Sequence, residues 1–253
     1  MIKTVFVDLF RLLTFRATSP AMAVHWKPYL ATGLLFTWLA GIGRYWDNPR
    51  EEPWQWLGLG SVAYVFILAL LLWLLLWPLR PAHWSYRNVL LFITLTAPPG
   101  LLYAVPVERF MTPDAARAAN AWFLAVVAAW RLGLFSTFLR RVGRLPWFTL
   151  IVATLTPMAL IVIALALLNL EHVVFNLMGG MRPEERSPND TAYRVVFLLG
   201  YLSYMTAPVL LAGYLVAAGW ARRDRATEPA ADSGVGSAPE VSDRAPRDDQ
   251  PGG

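Results

Sequence analysis

Apolar and polar positions alternate along this chain in long blocks. Six apolar stretches run at about Tyr29–Tyr45, Trp56–Trp77, Asn88–Val107, Ala119–Arg141, Trp147–Leu170 and Tyr193–Trp220, with short polar turns between them. Apolar runs of about 18 residues or more are long enough to cross a bilayer as helices. The second stretch, with its SVAYVFILALLLWLLLW core, is the strongest of the six. The pattern therefore predicts an all-α fold, a six-span transmembrane helical bundle over residues 25–221.

The flanks differ from the bundle. Within residues 1–24, Val5, Phe6, Leu9, Leu12 and Leu13 recur at helical spacing with Lys3 and Arg11 among them, while Asp8, Arg11 and Arg16 interrupt every candidate signal-peptide core. A short amphipathic helix is expected. It either lies in the interface plane of an anionic leaflet or packs on the protein's own cytoplasmic face. Residues 222–253 turn to Pro, Ser, Gly, Asp and Ala with few apolar side chains, so a disordered cytoplasmic tail is expected there.

Charge orients the bundle. The N-terminus, residues 78–87, residues 140–146 and Arg222 to Arg225 hold twelve basic residues against Asp8 and Asp224. On the other side, bases are diluted by acids. By the positive-inside rule both termini are cytoplasmic. The net charge of +5 thus serves topology, and no nucleic-acid partner is expected. All basic residues except Lys3 and Lys27 (and the three histidines) are arginines, and with abundant Ala and Leu this points to a bacterial inner membrane. Absence of cysteine excludes disulfides and thiolate chemistry. His25, His83 and His172 fall at two different interfaces, and no histidine pair has helical ligand spacing, so neither metal nor other cofactor is expected. No nucleophile elbow or phosphate-binding glycine loop occurs, which argues against an enzyme.

One charge does not fit the topology. Arg131 lies inside the fourth span, ~14 Å along the helix from Arg140, where an ionisable group costs at least ~3 kcal/mol. The spans contain no Asp or Glu to pair with it. Prolines offer another partner, since each leaves the carbonyl four residues earlier without its usual donor. Pro98, Pro157 and Pro208 lie at similar depth and would release the carbonyls of Thr94, Ala153 and Tyr204. A midplane polar site is expected from Arg131, Thr94, Pro98, Pro157, Tyr204 and Pro208. It is either a staple joining broken helices or a site for an anionic lipid or solute. Ala121, Ala125, Ala129, Gly133 and Thr137 form a small-residue stripe nearly opposite Arg131, so the fourth span should be central or border a water-filled cleft. Thr96-Ala97-Pro98 recurs as Thr206-Ala207-Pro208, a spacing that inverted repeats would produce.

At the opposite interface, Arg44 and Asp47, Glu108 and Arg109, and Glu171 and His172 end three spans on one side. They form either a polar cap or ordinary solvated interfacial charges. The opening FRLLTFRATSP, followed after Pro28 by a proline-punctuated multi-span domain, resembles the layout of bacterial Yip1-type membrane proteins. That resemblance implies a membrane-organising role and supplies no site residues. The expected function is a structural, assembly or lipid-interacting membrane component, with the bilayer and a membrane-protein partner as its contacts. The alternative is a small secondary transporter or channel for an anionic solute with Arg131 at its midplane site.

Overall fold

The computed structural model describes residues 1–17, 19, 21–45, 53–167 and 191–227, and every regular element among them is helical. The order is α1 (Ile2–Leu13), α2 (Ala21–Val24), α3 (Trp26–Tyr45), α4 (Pro53–Trp56), α5 (Leu59–Leu76), α6 (Tyr86–Leu95), α7 (Pro113–Arg141), α8 (Trp147–Leu167) and α9 (Thr191–Thr227). Single 3-10 segments occupy Trp77–Leu79, Pro98–Ala104 and Val107–Arg109. Four stretches, Leu59–Leu79, Ala118–Arg141, Trp147–Ala164 and Leu198–Arg223, are long and apolar enough to cross a membrane.

The remaining two predicted spans fall short for identifiable reasons. α3 has 20 residues but carries Lys27 and Pro28 in its first turn, Arg44 in its last, and Thr32 and Thr37 between them. α6 has 10 residues, about 15 Å at the helical rise, before the Ala97-Pro98-Pro99-Gly100 break turns it into a 3-10 segment. At the other end of the chain, α9 continues through Thr227, past the predicted bundle boundary at 221. Residues 228–253 of the expected tail lie outside the described residues.

α6 is the innermost element. Every residue from Val89 to Leu95 is buried, where α3, α5 and α7 surround it. The fourth span was expected to be central or to border a water-filled cleft; α7 packs one side against this core. Phe92 of α6 stacks on Phe138 of α7 with ring centroids 4.4 Å apart, and Phe135 closes the group at 5.9 Å. α8 and α9 form a second pair, joined to α5 through Leu150, Ala153, Ala217 and Ala218.

Lipid is as apolar as leucine, so helices in a bilayer gain little by hiding apolar side chains and gain more by close approach. Three small-residue contacts deliver this. A Cβ added at Gly33 would lie 2.6 Å from Thr94 Oγ1 and 2.9 Å from its backbone, so α3 and α6 meet there nearly backbone to backbone. Gly41 meets Ser61 of α5 in the same way, and Gly43 meets Ala104. Gly58 starts α5 at φ +70, with its backbone against Trp38 O and Ile42 N, a position where any side chain would be both strained and blocked.

Outward surfaces are apolar, as helices of membrane-crossing length require. Ile67, Leu70, Leu71 and Leu74 of α5 and Val209, Leu211 and Leu215 of α9 are exposed. Exposed tryptophans bracket this band: Trp54, Trp56 and Trp122 at one end, Trp77, Trp147 and Trp220 at the other. Along α5, from Leu59 to Leu76, the helical rise gives ~26 Å, close to the ~30 Å of a bilayer's hydrocarbon core.

The second tryptophan end gathers four segments. Ala82 N–H donates to Gly143 O at 2.8 Å, joining the turns after α5 and α7. An Arg141 guanidinium N–H donates to Phe15 O at 2.7 Å, and one from Arg80 to Ala221 O at 3.4 Å. The N-terminal segment, both turns and the end of α9 therefore share one basic end, with Arg16, Arg80, Arg87, Arg140, Arg141, Arg144, Arg222 and Arg223 all exposed there.

Candidate functional site

Arg131 sits nine residues from Trp122 and nine from Arg140, ~14 Å along α7 from each. Its Nε–H donates to the carbonyl of Thr96 at 3.0 Å, at the point where α6 breaks. The reason for that acceptor lies in the prolines. In a tightening helix end, Thr96 O would take an N–H from Pro99, which has none, or from Gly100, whose N–H is given to Ala97 O at 2.8 Å. The guanidinium fills that gap. Sequence reasoning placed the loose carbonyl at Thr94, two residues earlier. Thr94 O instead receives Ala97 N–H at 3.1 Å through a 3-10 bond, and its buried hydroxyl turns back to Leu90 O and Leu91 O.

The other proposed members of this site fare differently. Pro98 opens the 3-10 segment next to Thr96. Pro157 is buried inside the continuous helix α8, and Pro208 is exposed inside the continuous helix α9. Two adjacent prolines and a glycine end a helix, whereas a lone proline removes a single donor and a helix passes through it. Tyr204 lies on the exposed face of α9. The two Thr-Ala-Pro triplets thus take different conformations, one ending a helix and the other inside one. Nearby, Ser136 Oγ and Thr154 Oγ1 approach to 3.4 Å, and the Thr156 hydroxyl is buried without a hydrogen-bond partner among the described residues.

Within the small-residue stripe of α7, Gly133 meets the N-terminal segment, while Ala125 and Ala129 are exposed. α1 ends with Arg16 N–H donating to Arg11 O and Phe15 N–H to Leu12 O, a Schellman closure with Phe15 at φ +60 where glycine is usual. The ring of Phe15 rests on Gly133, where an added Cβ would lie 3.2 Å from it. Trp130 Nε1–H donates to Leu13 O at 2.9 Å and secures the same turn. α7 is therefore covered on opposite sides, by this turn at Gly133 and by broken α6 at Arg131.

At the far end, Gly43 against Ala104 brings the end of α3 to the end of the 3-10 segment. Arg44 lies on that last turn of α3, and Glu108 and exposed Arg109 lie in the turn Val107–Arg109. Asp47, Glu171 and His172 fall outside the described residues.

A polar cluster that sequence reasoning did not single out lies on α1. Asp8 is 2% exposed, and its carboxylate accepts from Ser19 N–H at 3.0 Å, Ser19 Oγ–H at 2.5 Å and Tyr29 Oη–H at 2.6 Å. Arg11 stands 3.9 Å away at the solvent side. Burial pushes the Asp8 carboxyl up, but the Ser19 and Tyr29 hydroxyls, the Ser19 amide and Arg11 outweigh it and hold it below its ordinary range. This knot ties α1 to α3, while Val5 and Leu9 pack with Tyr29, Leu91 and Leu95. A signal was present: Asp8 sits within the stripe Val5, Leu9, Leu12, where an acid on an apolar face demands a partner.

Among the described residues no group of three or more His, Asp or Glu side chains is placed to hold a metal ion. Compared with protein-family models, curated proteins and solved structures, the chain finds no match. The likeness to Yip1-type proteins therefore rests on layout alone.

Proposed function

We propose that this chain is a six-crossing component of a bacterial inner membrane, with both termini cytoplasmic, that acts by organising lipid and protein packing at the cytoplasmic leaflet. The carrying observation is the two-sided character of α1. One face, Val5, Asp8, Leu9 and Leu12, is locked to the bundle. The other presents Ile2, Phe6, Val7 and Phe10 outward, with exposed Lys3 and Arg11 beside them. An apolar face edged by bases suits the boundary between headgroups and acyl chains of an anionic leaflet. In this reading one helix does both: it packs on the bundle and lies in the interface.

Six crossings are supported by the gathering of the N-terminal segment, the 78–85 and 142–146 turns and the end of α9 at one basic end. In that arrangement α3 crosses as the first span, and α6 with Pro98–Ala104 crosses as a broken third. The arginine-rich, lysine-poor composition supports a bacterial source. Engagement of Arg131 by Thr96 O favours a structural staple over an anion carrier, because the guanidinium answers a carbonyl that the prolines leave open.

A nitroxide on Phe6→Cys in reconstituted vesicles tests the proposal, since the chain has no cysteine of its own. Lipid contact predicts strong relaxation by oxygen and shielding from a water-soluble nickel chelate. Full access to nickel would overturn it, as would an immobilised probe shielded from both, which would mark a protein contact.

A further inference from the structure

The basic end contains a pocket that the contacts above do not use. The Trp77–Leu79 turn, the loop that follows it and the end of α9 enclose an open space of ≈ 540 Å³ lined by Trp77, Pro78, Arg80, Pro81, Trp84 and Arg222. That volume falls within the roughly 300–1,000 Å³ typical of ligand sites. Two guanidinium groups line it, and no acid does among the described residues. Arg80 takes φ +50, a left-handed conformation that costs about 1–2 kcal/mol for an L-residue, and its backbone N–H closes on Trp77 O at 3.0 Å. Glycine would avoid that cost, so what the position supplies is the arginine side chain. The contact of Arg80 with Ala221 O, at 3.4 Å, is long and holds the guanidinium at the rim beside Arg222.

The walls are set as well. Trp84 Nε1–H donates to Trp73 O at 3.1 Å, fixing its indole. Trp77 stacks on Trp73 with centroids 5.6 Å apart and stays 61% exposed. The pocket lies where two membrane-length stretches, Leu59–Leu79 and Leu198–Arg223, end beside the tryptophan belt, which is the depth of lipid phosphates.

We propose that this pocket binds the phosphate of an anionic phospholipid of the cytoplasmic leaflet, with Arg80 and Arg222 on the phosphate and Trp77 and Pro81 against the glycerol region. Arginine forks match phosphate oxygens in pairs, and the indole body suits the adjoining apolar chain. The inference rests on the lipid-organising reading above and names the lipid chemistry of one site within it.

Native mass spectrometry of the full chain from nanodiscs tests it, with phosphatidylglycerol in phosphatidylcholine as the probe. Wild type should retain one phosphatidylglycerol per chain, and R80Q/R222Q should weaken retention at least ~100-fold, roughly tenfold or more for each charge-assisted hydrogen bond to phosphate that is lost. R87Q/R144Q removes equal charge from the same end outside the pocket and should keep the bound lipid. Equal loss in both double variants would mean diffuse surface charge and would overturn the site. Inorganic phosphate binding at Arg80 and Arg222 with no lipid retained would overturn it in favour of a soluble anion. If R80Q/R222Q fails to fold, Arg222→Gln alone leaves the Arg80–Ala221 bond intact and should still weaken retention about tenfold or more. Loss of the pocket result while the Phe6→Cys nitroxide still reports lipid removes this site only; failure of both removes the lipid-organising reading.

Discussion

Replacing Asp8 with Ala should release α1 from the bundle while leaving the spanning helices in place. The carboxylate accepts three hydrogen bonds, two from Ser19 and one from Tyr29, whose residue is 1% exposed. Bonds to a charged group contribute about 1.5–3 kcal/mol each, but the two from Ser19 are lost together and carboxylate burial offsets part of the sum. Removing one side of such a buried charged cluster costs about 3–5 kcal/mol, largely because the Tyr29 and Ser19 donors are left without acceptors. At about 1.4 kcal/mol per tenfold, hydrogen-exchange protection of the α1 amides should fall at least ~100-fold. Arg11→Gln is the control. Its contact is 3.9 Å and half exposed, so a few-fold loss at most is expected. Asp8→Ala within about threefold of wild type, or no worse than Arg11→Gln, would refute the reasoning about the knot. The same cluster sets a pH response. Asp8 titrates below its ordinary range in the folded state, so its contribution is complete above the unfolded value near ~3.9 and fades as pH falls through the lower folded one. Protection of α1 relative to intrinsic exchange should weaken on acidification below about pH 4 in wild type and stay flat in Asp8→Ala.

Two packing features give further tests. Phe15→Ala keeps the left-handed backbone and loses the ring on Gly133, so it should destabilise the α1 turn more than Phe15→Gly, by about 1 kcal/mol; equal effects would remove the strain argument. Gly33→Val would force α3 away from Thr94, whose backbone would lie 2.9 Å from the added Cβ, and unfolding in detergent should show a loss of at least ~1–3 kcal/mol, whereas an unchanged melting temperature would mean the helices are not in close contact there.

Much of the architecture was legible because apolar length and charge sidedness are one-dimensional signals. Helices α5, α7, α8 and α9 follow from run length alone. The break in the third stretch was legible too, since Pro98-Pro99-Gly100 cannot carry a helical hydrogen-bond ladder; the 3-10 segment that follows it, Pro98–Ala104, was not. The outcome at Arg131 was half legible. That a guanidinium would seek a proline-freed carbonyl follows from counting donors, but which carbonyl depends on whether the helix end tightens to 3-10 bonding. That tightening moved the open acceptor from Thr94 to Thr96. Asp8 was discounted as an interruption, since its partners, 11 and 21 residues away, meet it only once α1 folds back on α3. The Arg80–Arg222 pocket joins residues far apart in sequence, and no local pattern announces it.

The claim that Arg131 is a staple across the break that ends α6 has a direct measurement. Pro99→Ala supplies the N–H that a 3-10 bond to Thr96 O lacks, so it should substitute for the guanidinium. Melting temperatures in detergent for wild type, Arg131→Leu, Pro99→Ala and the double variant form a complete cycle. The account predicts that Arg131→Leu loses about 1–3 kcal/mol of stability and that adding Pro99→Ala restores part of it. An Arg131→Leu protein as stable as wild type, or a double variant showing no recovery over Arg131→Leu, would contradict it.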